Sequence, residues 1–345
     1  MTRSRTPSRK WLAIAGVITS GVVLWGWNTA FRPNTLAVEG RFILKVGTPI
    51  DSALQDLADQ GRLSNPASFR RYLGWRGWNH PTGLRPGRYL VPEGLDNRGL
   101  ARLLRSGARE AVRVRFNAAR LPEDVAESVC DRMSFSEEDL LAVMRDPLVA
   151  ARNGTDVEGF RTRFIPNTYE VWYDLTASDF VDRMALEWKK WWSLERRAQA
   201  ESLGLDPEEV GILASIVKSE TSRMDEAPVV AGLYLNRLRK GMRLQADPTL
   251  IYALGDFSIR RVLNVHRETD SPYNTYMYRG LPPGPINYPE PGYLEAVLNA
   301  AKHDFLFMCA KEDFSGYHAF ARTNREHERN ARRYRKALDE QGVYK

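Results

Sequence analysis

Between Trp11 and Phe31 the chain carries no charged residue. The run is mostly apolar and roughly 20 residues long, enough for one helix to cross the hydrocarbon of a bilayer. Such a segment does not join a water-soluble core, so it divides whatever the chain folds into. Arg3, Arg5, Arg9 and Lys10 precede it without an acidic neighbour, and Arg32-Pro33 ends it. Basic residues are retained on the cytoplasmic side, which predicts an inside N-terminus and export of the rest. Trp11, Trp25 and Trp27 suit the two interfaces. The competing reading is a cleaved signal peptide, which has a shorter apolar core and a small-x-small site. Trp25-Gly-Trp-Asn-Thr-Ala-Phe31 is a poor site of that kind. The expectation is a cytoplasmic tail over 1–10, a single transmembrane helix over 11–31, and an extracytoplasmic remainder on the cytoplasmic (inner) membrane.

That remainder, in a chain of 345 residues, is long enough for two domains. The formal charge is +7, and part of the excess lies in the first ten residues. What is left is mild, and no nucleic-acid partner is expected. Cys130 and Cys309 are too few and too distant for a disulfide framework, and are read as free, buried thiols. His80, His266, His303, His318 and His327 have no metal-ligand spacing, and CxxC and HExxH are absent. No metal and no cofactor are expected.

After the run, Phe42-Ile-Leu-Lys-Val alternates like a strand. Helices are predicted over 50–61 and 66–74, a turn-strand-turn over 84–94, and a helix over 95–106 stopped by Gly107. This strand, helix, helix, strand order resembles a LysM-like module in pattern. A second unit begins near Glu110. It opens on a strand over 111–116, followed by helices over 123–132 and 136–145, the latter capped by Ser136. Phe164-Ile-Pro-Asn-Thr-Tyr169 reads as an aromatic loop, and 177–202 as one long helix. Its Trp188, Trp191 and Trp192 suit a core or groove wall.

The segment from Leu205 to Thr221 is the most informative for chemistry. Asp206-Pro-Glu-Glu209 is a helix start, with a capping Asp, Pro at the first position and Glu three residues after the cap. Val210, Leu213, Ala214 and Val217 form an apolar stripe, and the next positions at that spacing are Glu220 and Thr221. Glu220 therefore falls on the buried face at the C-terminal end of an amphipathic helix. Desolvation and the negative helix end both raise its pKa. A carboxyl kept protonated near neutral pH is what a general acid requires. The alternative is a plain ion pair with Arg223 or Arg237. Glu208, Glu209 and Glu226 read as surface or capping acids.

A second helix is predicted over 225–240, closed by Gly241. A third starts at Asp247-Pro248, with Asp247 as its cap or facing a cleft together with Gln245. Next comes a rigid aromatic loop from Ser271 to Ile286. In it Tyr273, Asn274, Thr275 and Tyr276 offer faces for stacking on sugars and groups for bonding hydroxyls. A hairpin is predicted from residues 305–311 and 317–321, then a basic C-terminal helix from Thr323. His318, Thr323 and His327 are within reach of the same cleft.

Several of these segments resemble one family in order: Ala214-Ser-Ile-Val-Lys-Ser-Glu-Thr221, Asn236-Arg-Leu238, Gly241-Met-Arg-Leu-Gln-Ala-Asp-Pro-Thr249, Tyr273-Asn-Thr-Tyr276 and Gly280-Leu-Pro-Pro-Gly-Pro-Ile286. Together with Glu158-Gly-Phe160 and Phe164-Ile-Pro-Asn-Thr-Tyr169 they resemble the YceG-like endolytic murein transglycosylases. Many members carry an acidic residue where this chain has Lys218, a position off the Glu220 face. The resemblance implies an α+β architecture: the anchor helix, a small LysM-like subdomain over 34–108, and a larger catalytic domain over 109–345. It also implies a lyase that cuts the MurNAc-β-1,4-GlcNAc bond of nascent peptidoglycan strands and leaves 1,6-anhydro-MurNAc ends. Glu220 takes the place of the family's catalytic glutamate. Gln245, Asp247, Tyr273, Asn274, Thr275, Tyr276 and His318 are the candidates for binding the sugars. Peptidoglycan synthases are the implied protein partners. A hydrolytic muramidase using Asp247, or a non-catalytic scaffold of the wall-synthesis machinery, are the alternatives.

Overall fold

The structure is a computed structural model that describes residues 9–45, 47–78, 84–106, 111–259 and 262–340; side chains 9–13, 15 and 16 are left out. Residues 1–8 of the expected tail, His80 and the expected helix stop Gly107 lie outside the described residues. The chain divides into two compact units. The first comprises Met1–Arg113 with Arg132–Ser134 and Glu170–Leu175; the second comprises Val114–Asp131, Phe135–Tyr169 and Thr176–Lys345.

The first unit opens with helix α1 (Arg9–Phe31). Strand β1 (Phe42–Leu44) pairs antiparallel with β2 (Gly87–Tyr89), with Ile43 opposite Arg88. Between them run α2 (Ile50–Asp59) and α3 (Pro66–Trp75), and α4 (Asn97–Ser106) follows. The strand, helix, helix, strand order of the sequence is thus the order found. Asn65 caps α3 through Ser68 N at 2.9 Å, ahead of Pro66. Phe42, Leu57, Phe69, Leu73, Tyr89, Leu100 and Leu104 fill the core. A polar knot ties the end of α1 to it: Asn97 Nδ2 donates to Thr29 O at 2.7 Å, and Asn34 Nδ2 donates to Asn97 Oδ1 at 2.7 Å. On α1, Val17, Ile18, Val22, Val23 and Leu24 are exposed. Among the described residues no helix is long and apolar enough to cross a membrane.

β3 (Ala111–Phe116) and β4 (Asn167–Trp172) form a second two-stranded sheet. The segment expected as an aromatic loop over 164–169 therefore ends in a strand, because Tyr169 and Val171 alternate inward as strand side chains do. The short helices α5 (Pro122–Cys130), α6 (Glu137–Met144), α7 (Pro147–Arg152) and α8 (Val157–Phe160) lie between the two strands in sequence. The single helix expected over 177–202 is two, α9 (Ala177–Trp191) and α10 (Leu194–Leu203). Ser193 makes the break: its side chain accepts from Arg196 N at 3.2 Å and starts a new helix in place of the old one.

The core of the second unit is built on α11 (Pro207–Glu220). Its start is the expected capping box: Asp206 accepts from Glu208 N and Glu209 N, and Glu209 Oε2 accepts from Asp206 N at 2.9 Å. Its character differs from the amphipathic helix expected, since every residue from Val210 to Val217 is buried. The reason is packing on several sides, by α10, by α12 (Ala227–Arg239), by α13 (Asp247–Leu254) and by α14 (Pro291–Leu298), a helix the sequence pattern did not announce. The expected hairpin is present as β5 (Phe307–Ala310) and β6 (His318–Ala321), antiparallel with Cys309 opposite Ala319. Helix α15 (Asn324–Glu340) packs on both strands. Cys130 and Cys309 are free and half-buried.

Candidate active site

Glu220 is the last residue of α11, and Thr221 leaves the helix with an extended backbone. The carboxyl is half-buried in the wall of an open cleft of about 620 Å³. Tyr234, on the buried face of α12, donates its hydroxyl to Glu220 Oε1 at 2.6 Å. Burial raises the pKa of Glu220 above the ordinary carboxyl value. The bond from Tyr234 and the His318 and Arg237 side chains pull the other way, while Asp247 adds to the rise. Burial and then the Glu220 carboxylate push the Tyr234 phenol well above its usual range, so it remains a donor. With Oε1 engaged, Oε2 is the oxygen left to carry a proton toward the cleft.

Neither cation proposed as a partner pairs with Glu220 among the described residues. Arg237 Nε donates to Leu306 O and Nη1 to Leu244 O, both at 2.6 Å. Arg223 Nη2 donates to Ser315 O at 2.6 Å. Asn236 completes this use of the Asn-Arg pair, donating to His303 O at 2.7 Å and Phe305 O at 3.2 Å. Asn236 and Arg237 thus hold the chain that enters the β5–β6 hairpin, whose Phe307, Met308, Cys309 and Ala310 form one wall of the cleft.

Gln245, Asp247, Tyr276 and His318 line the cleft with Glu220. Gln245 has φ +50°, a left-handed conformation that costs a non-glycine residue energy. Asp247 does not cap α13; Ala246 holds the cap position, and the Asp247 carboxylate accepts from the Tyr276 hydroxyl instead. Arg267 stacks over the Tyr276 ring at 4.6 Å.

Tyr273, Asn274 and Thr275 are placed behind this wall. The Tyr273 hydroxyl donates to Glu158 Oε2 at 2.6 Å. Asn274 is 0% exposed; its Nδ2 donates to Arg267 O and Thr269 O, and its Oδ1 accepts from Tyr276 N at 3.0 Å. Thr275 is 1% exposed; its hydroxyl bonds Thr249 Oγ1 at 2.8 Å and accepts from Ala246 N at 3.0 Å, and its carbonyl accepts from Gln245 N. Asn274 and Thr275 position Tyr276 and Gln245 and leave the cleft surface to them, while Tyr273 is tied to Glu158. Similarly, Ser215 of α11 accepts from Ile286 N at 3.0 Å and so pins the Pro-rich loop to that helix. Lys218 points elsewhere, donating to Tyr288 O and Glu290 Oε1 at 2.8 Å.

His327, Asn324 and Glu328 of α15 also line the cleft, and the His327 ring stacks on Phe307 at 5.6 Å. Thr323 is absent from the lining. Sequence reasoning missed Tyr234 and Arg267. The stripe Val230, Leu233, Tyr234, Arg237 at helical spacing carried the signal for Tyr234. It also read Glu226 as an ordinary capping or surface acid. The structure overturns this: Glu226 is 5% exposed, makes no cap bond, and binds Thr221 and His318. Among the described residues no group of three or more His, Cys, Asp or Glu side chains is arranged to hold a metal ion.

The sequence model of the YceG-like family matches residues 42–333. An endolytic murein transglycosylase of Bacillus subtilis (strain 168) is 24% identical over 306 residues, covering 84% of this chain and 82% of that one. One from Streptococcus pneumoniae (strain R6) is 26% identical over 322 residues; the match covers 85% of this chain but only 56% of that longer protein. The crystal structure of a YceG-like protein from Listeria monocytogenes has the same fold, with a TM-score of 0.55 at 23% identity over 84% of this chain and 98% of that one.

Proposed function

Since the chain belongs to the YceG-like family, we propose that it is an endolytic peptidoglycan lytic transglycosylase that cleaves the MurNAc-β-1,4-GlcNAc bond of nascent strands and leaves 1,6-anhydro-MurNAc ends. The observation that carries the proposal is Glu220: a carboxyl of raised pKa at the end of a buried helix, open to a cleft and held on one oxygen by Tyr234. The name borne by the relatives from B. subtilis and S. pneumoniae supports it.

In this mechanism Glu220 Oε2 delivers its proton to the glycosidic oxygen as the bond to C1 of the muramic sugar breaks. The electron pair of that bond leaves with the oxygen, and positive charge develops at C1. The carboxylate left on Glu220, steadied by the Tyr234 hydroxyl, then takes the proton of the sugar's own 6-hydroxyl as that oxygen closes on C1. One carboxyl serves twice because an intramolecular hydroxyl replaces water; hydrolytic glycosidases use two carboxylates. Gln245, Asp247, Tyr276 and His318 are proposed to hold the sugars directly, with Tyr273, Asn274 and Thr275 supporting them.

Residues 11–31 are proposed as a single anchor in the cytoplasmic membrane, with the catalytic unit outside. The absence of acidic residues from α1 and the exposure of its apolar side chains support this. Residues 34–108 are proposed as a LysM-like subdomain preceding a catalytic domain over 109–345, and peptidoglycan synthases as partners.

The test uses the full chain in detergent, wild type and Glu220→Gln, incubated with uncrosslinked glycan strands. Mass spectrometry of the new ends should find anhydro-MurNAc with the wild type and nothing with the variant. Hydrated reducing ends would instead support a muramidase that uses Asp247, and an active variant would sink the role of Glu220. Carbonate extraction of membranes tests the anchor: release of the chain would overturn it.

A further inference from the structure

Glu226 stands at the head of α12, yet its side chain does nothing for that helix. Its Oε1 accepts from the backbone N of His318 at 2.7 Å. Its Oε2 is 2.8 Å from His318 Nδ1 and accepts from the Thr221 hydroxyl at 3.1 Å. Burying a carboxylate is costly unless hydrogen bonds compensate it, and here three donors converge on one. The arrangement assigns the proton of the His318 ring, because an ionised carboxylate only accepts and Nδ1 must therefore donate. Nε2 is then the outer atom of a ring that lines the cleft with Glu220, and it has no hydrogen bond among the described residues.

The same carboxylate links two elements. Thr221 is the residue directly after Glu220, and His318 begins β6 of the hairpin that walls the cleft. Other contacts join the hairpin to this loop: Arg223 to Ser315 O, and the Tyr317 hydroxyl to Asp225 Oδ2 at 2.8 Å. Both are exposed, where water competes, whereas the Glu226 carboxylate is buried and holds its geometry more firmly.

We infer that Glu226 is a positioning residue of the reaction: it clamps His318 by ring and backbone so that Nε2 meets a hydroxyl of the bound sugar beside Glu220. A hydroxyl suits Nε2 whether the ring is neutral or charged, since it both donates and accepts. A buried acid orienting a histidine in this way fixes tautomer and direction without touching the substrate. The inference rests on the transglycosylase reading.

The test combines kinetics with spectroscopy on the full chain in detergent. Glu226→Gln should lower the rate of anhydro-end formation at saturating glycan by about 10- to 100-fold, with KM changed less than about threefold. His318→Ala should do the same, and the double variant should be no slower than His318→Ala alone. Tyr317→Phe, which breaks only the exposed link, should stay within about twofold of wild type. In the wild type, nitrogen chemical shifts of His318 should report a proton on Nδ1. This measurement stands even where Glu226→Gln fails to fold. Three results would each overturn the inference: a wild-type ring protonated on Nε2 alone, a folded Glu226→Gln with wild-type rate, or additive losses in the double variant. A wild type that forms no anhydro ends at all defeats the transglycosylase reading instead, and leaves the His318 tautomer to be judged separately.

Discussion

Tyr234→Phe isolates the hydrogen bond on which the proposed acid and base roles of Glu220 both depend. The substitution removes one oxygen from a side chain that is 2% exposed and keeps its ring. The lost bond runs from a phenol to a carboxylate at 2.6 Å. Bonds to charged groups contribute about 1.5–3 kcal/mol. One pKa unit corresponds to about 1.36 kcal/mol, so the ionised form of Glu220 loses the equivalent of about 1–2 units. The direction is upward, since this bond is among the effects that hold the pKa of Glu220 down against burial. In the proposed mechanism Glu220 must be protonated to start the reaction, so activity should be lost as pH rises through its pKa. The alkaline limb of the pH–rate profile should therefore move up by about 1–2 units. The plateau should also fall. If about half the bond is felt as the carboxylate forms in the transition state, the loss is about 1 kcal/mol, or roughly fivefold. The assay is release of anhydro ends from uncrosslinked glycan between pH 4 and 10. A folded variant whose alkaline limb stays in place, or moves down, would refute the reasoning.

Glu220→Gln should stabilise the fold by an amount that depends on pH. The raised pKa means that the folded protein holds this proton where the unfolded chain has released it, so wild-type stability falls as pH rises from about 4.5 toward the folded pKa. The gain in Tm should be small near pH 4 and larger at pH 7; an equal gain at both would contradict the linkage. Gln245→Gly should relieve the strain at φ +50° and raise stability by up to about 1 kcal/mol in urea titration, while glycan cleavage falls several-fold. Thr275→Val should cost roughly 1–3 kcal/mol, because it strands Ala246 N in a buried place and leaves Thr249 Oγ1 only its bond to Ala246 O; an unchanged urea midpoint would show that Ala246 N finds another partner.

Much of the fold was legible wherever the signal was local. The start of α11 was readable because Asp206, Pro207 and Glu209 satisfy helix-end groups within one turn. The β5–β6 hairpin was readable from two apolar segments around a turn. Errors had two sources: a local bond that competes with a continuing helix, and a partner remote in sequence. The helix expected over 177–202 breaks at Ser193, where one side-chain bond outweighed a continuous helical pattern. Residues 167–169 of β4 were taken for loop because strand identity depends on the partner strand β3, far back in the chain, not on local composition alone.

For the site, the sequence by itself singled out Glu220, which the structure places in the wall of a cleft. An apolar stripe that ends on a carboxyl at a helix terminus carries its own physical argument, and the ordered motifs around it mark the family. Only the tertiary structure decided what surrounds that carboxyl. Tyr273, Asn274, Thr275 and Tyr276 are four adjacent polar residues, and nothing local says that Tyr276 faces the cleft while Asn274 holds its backbone and Thr275 holds that of Gln245 and Ala246. Glu226 looks in sequence like any acid at a helix start, and becomes a buried anchor only because His318 arrives from 92 residues away. Local backbone geometry is written in neighbouring residues, but the direction and burial of a polar side chain are set by whichever distant element closes over it.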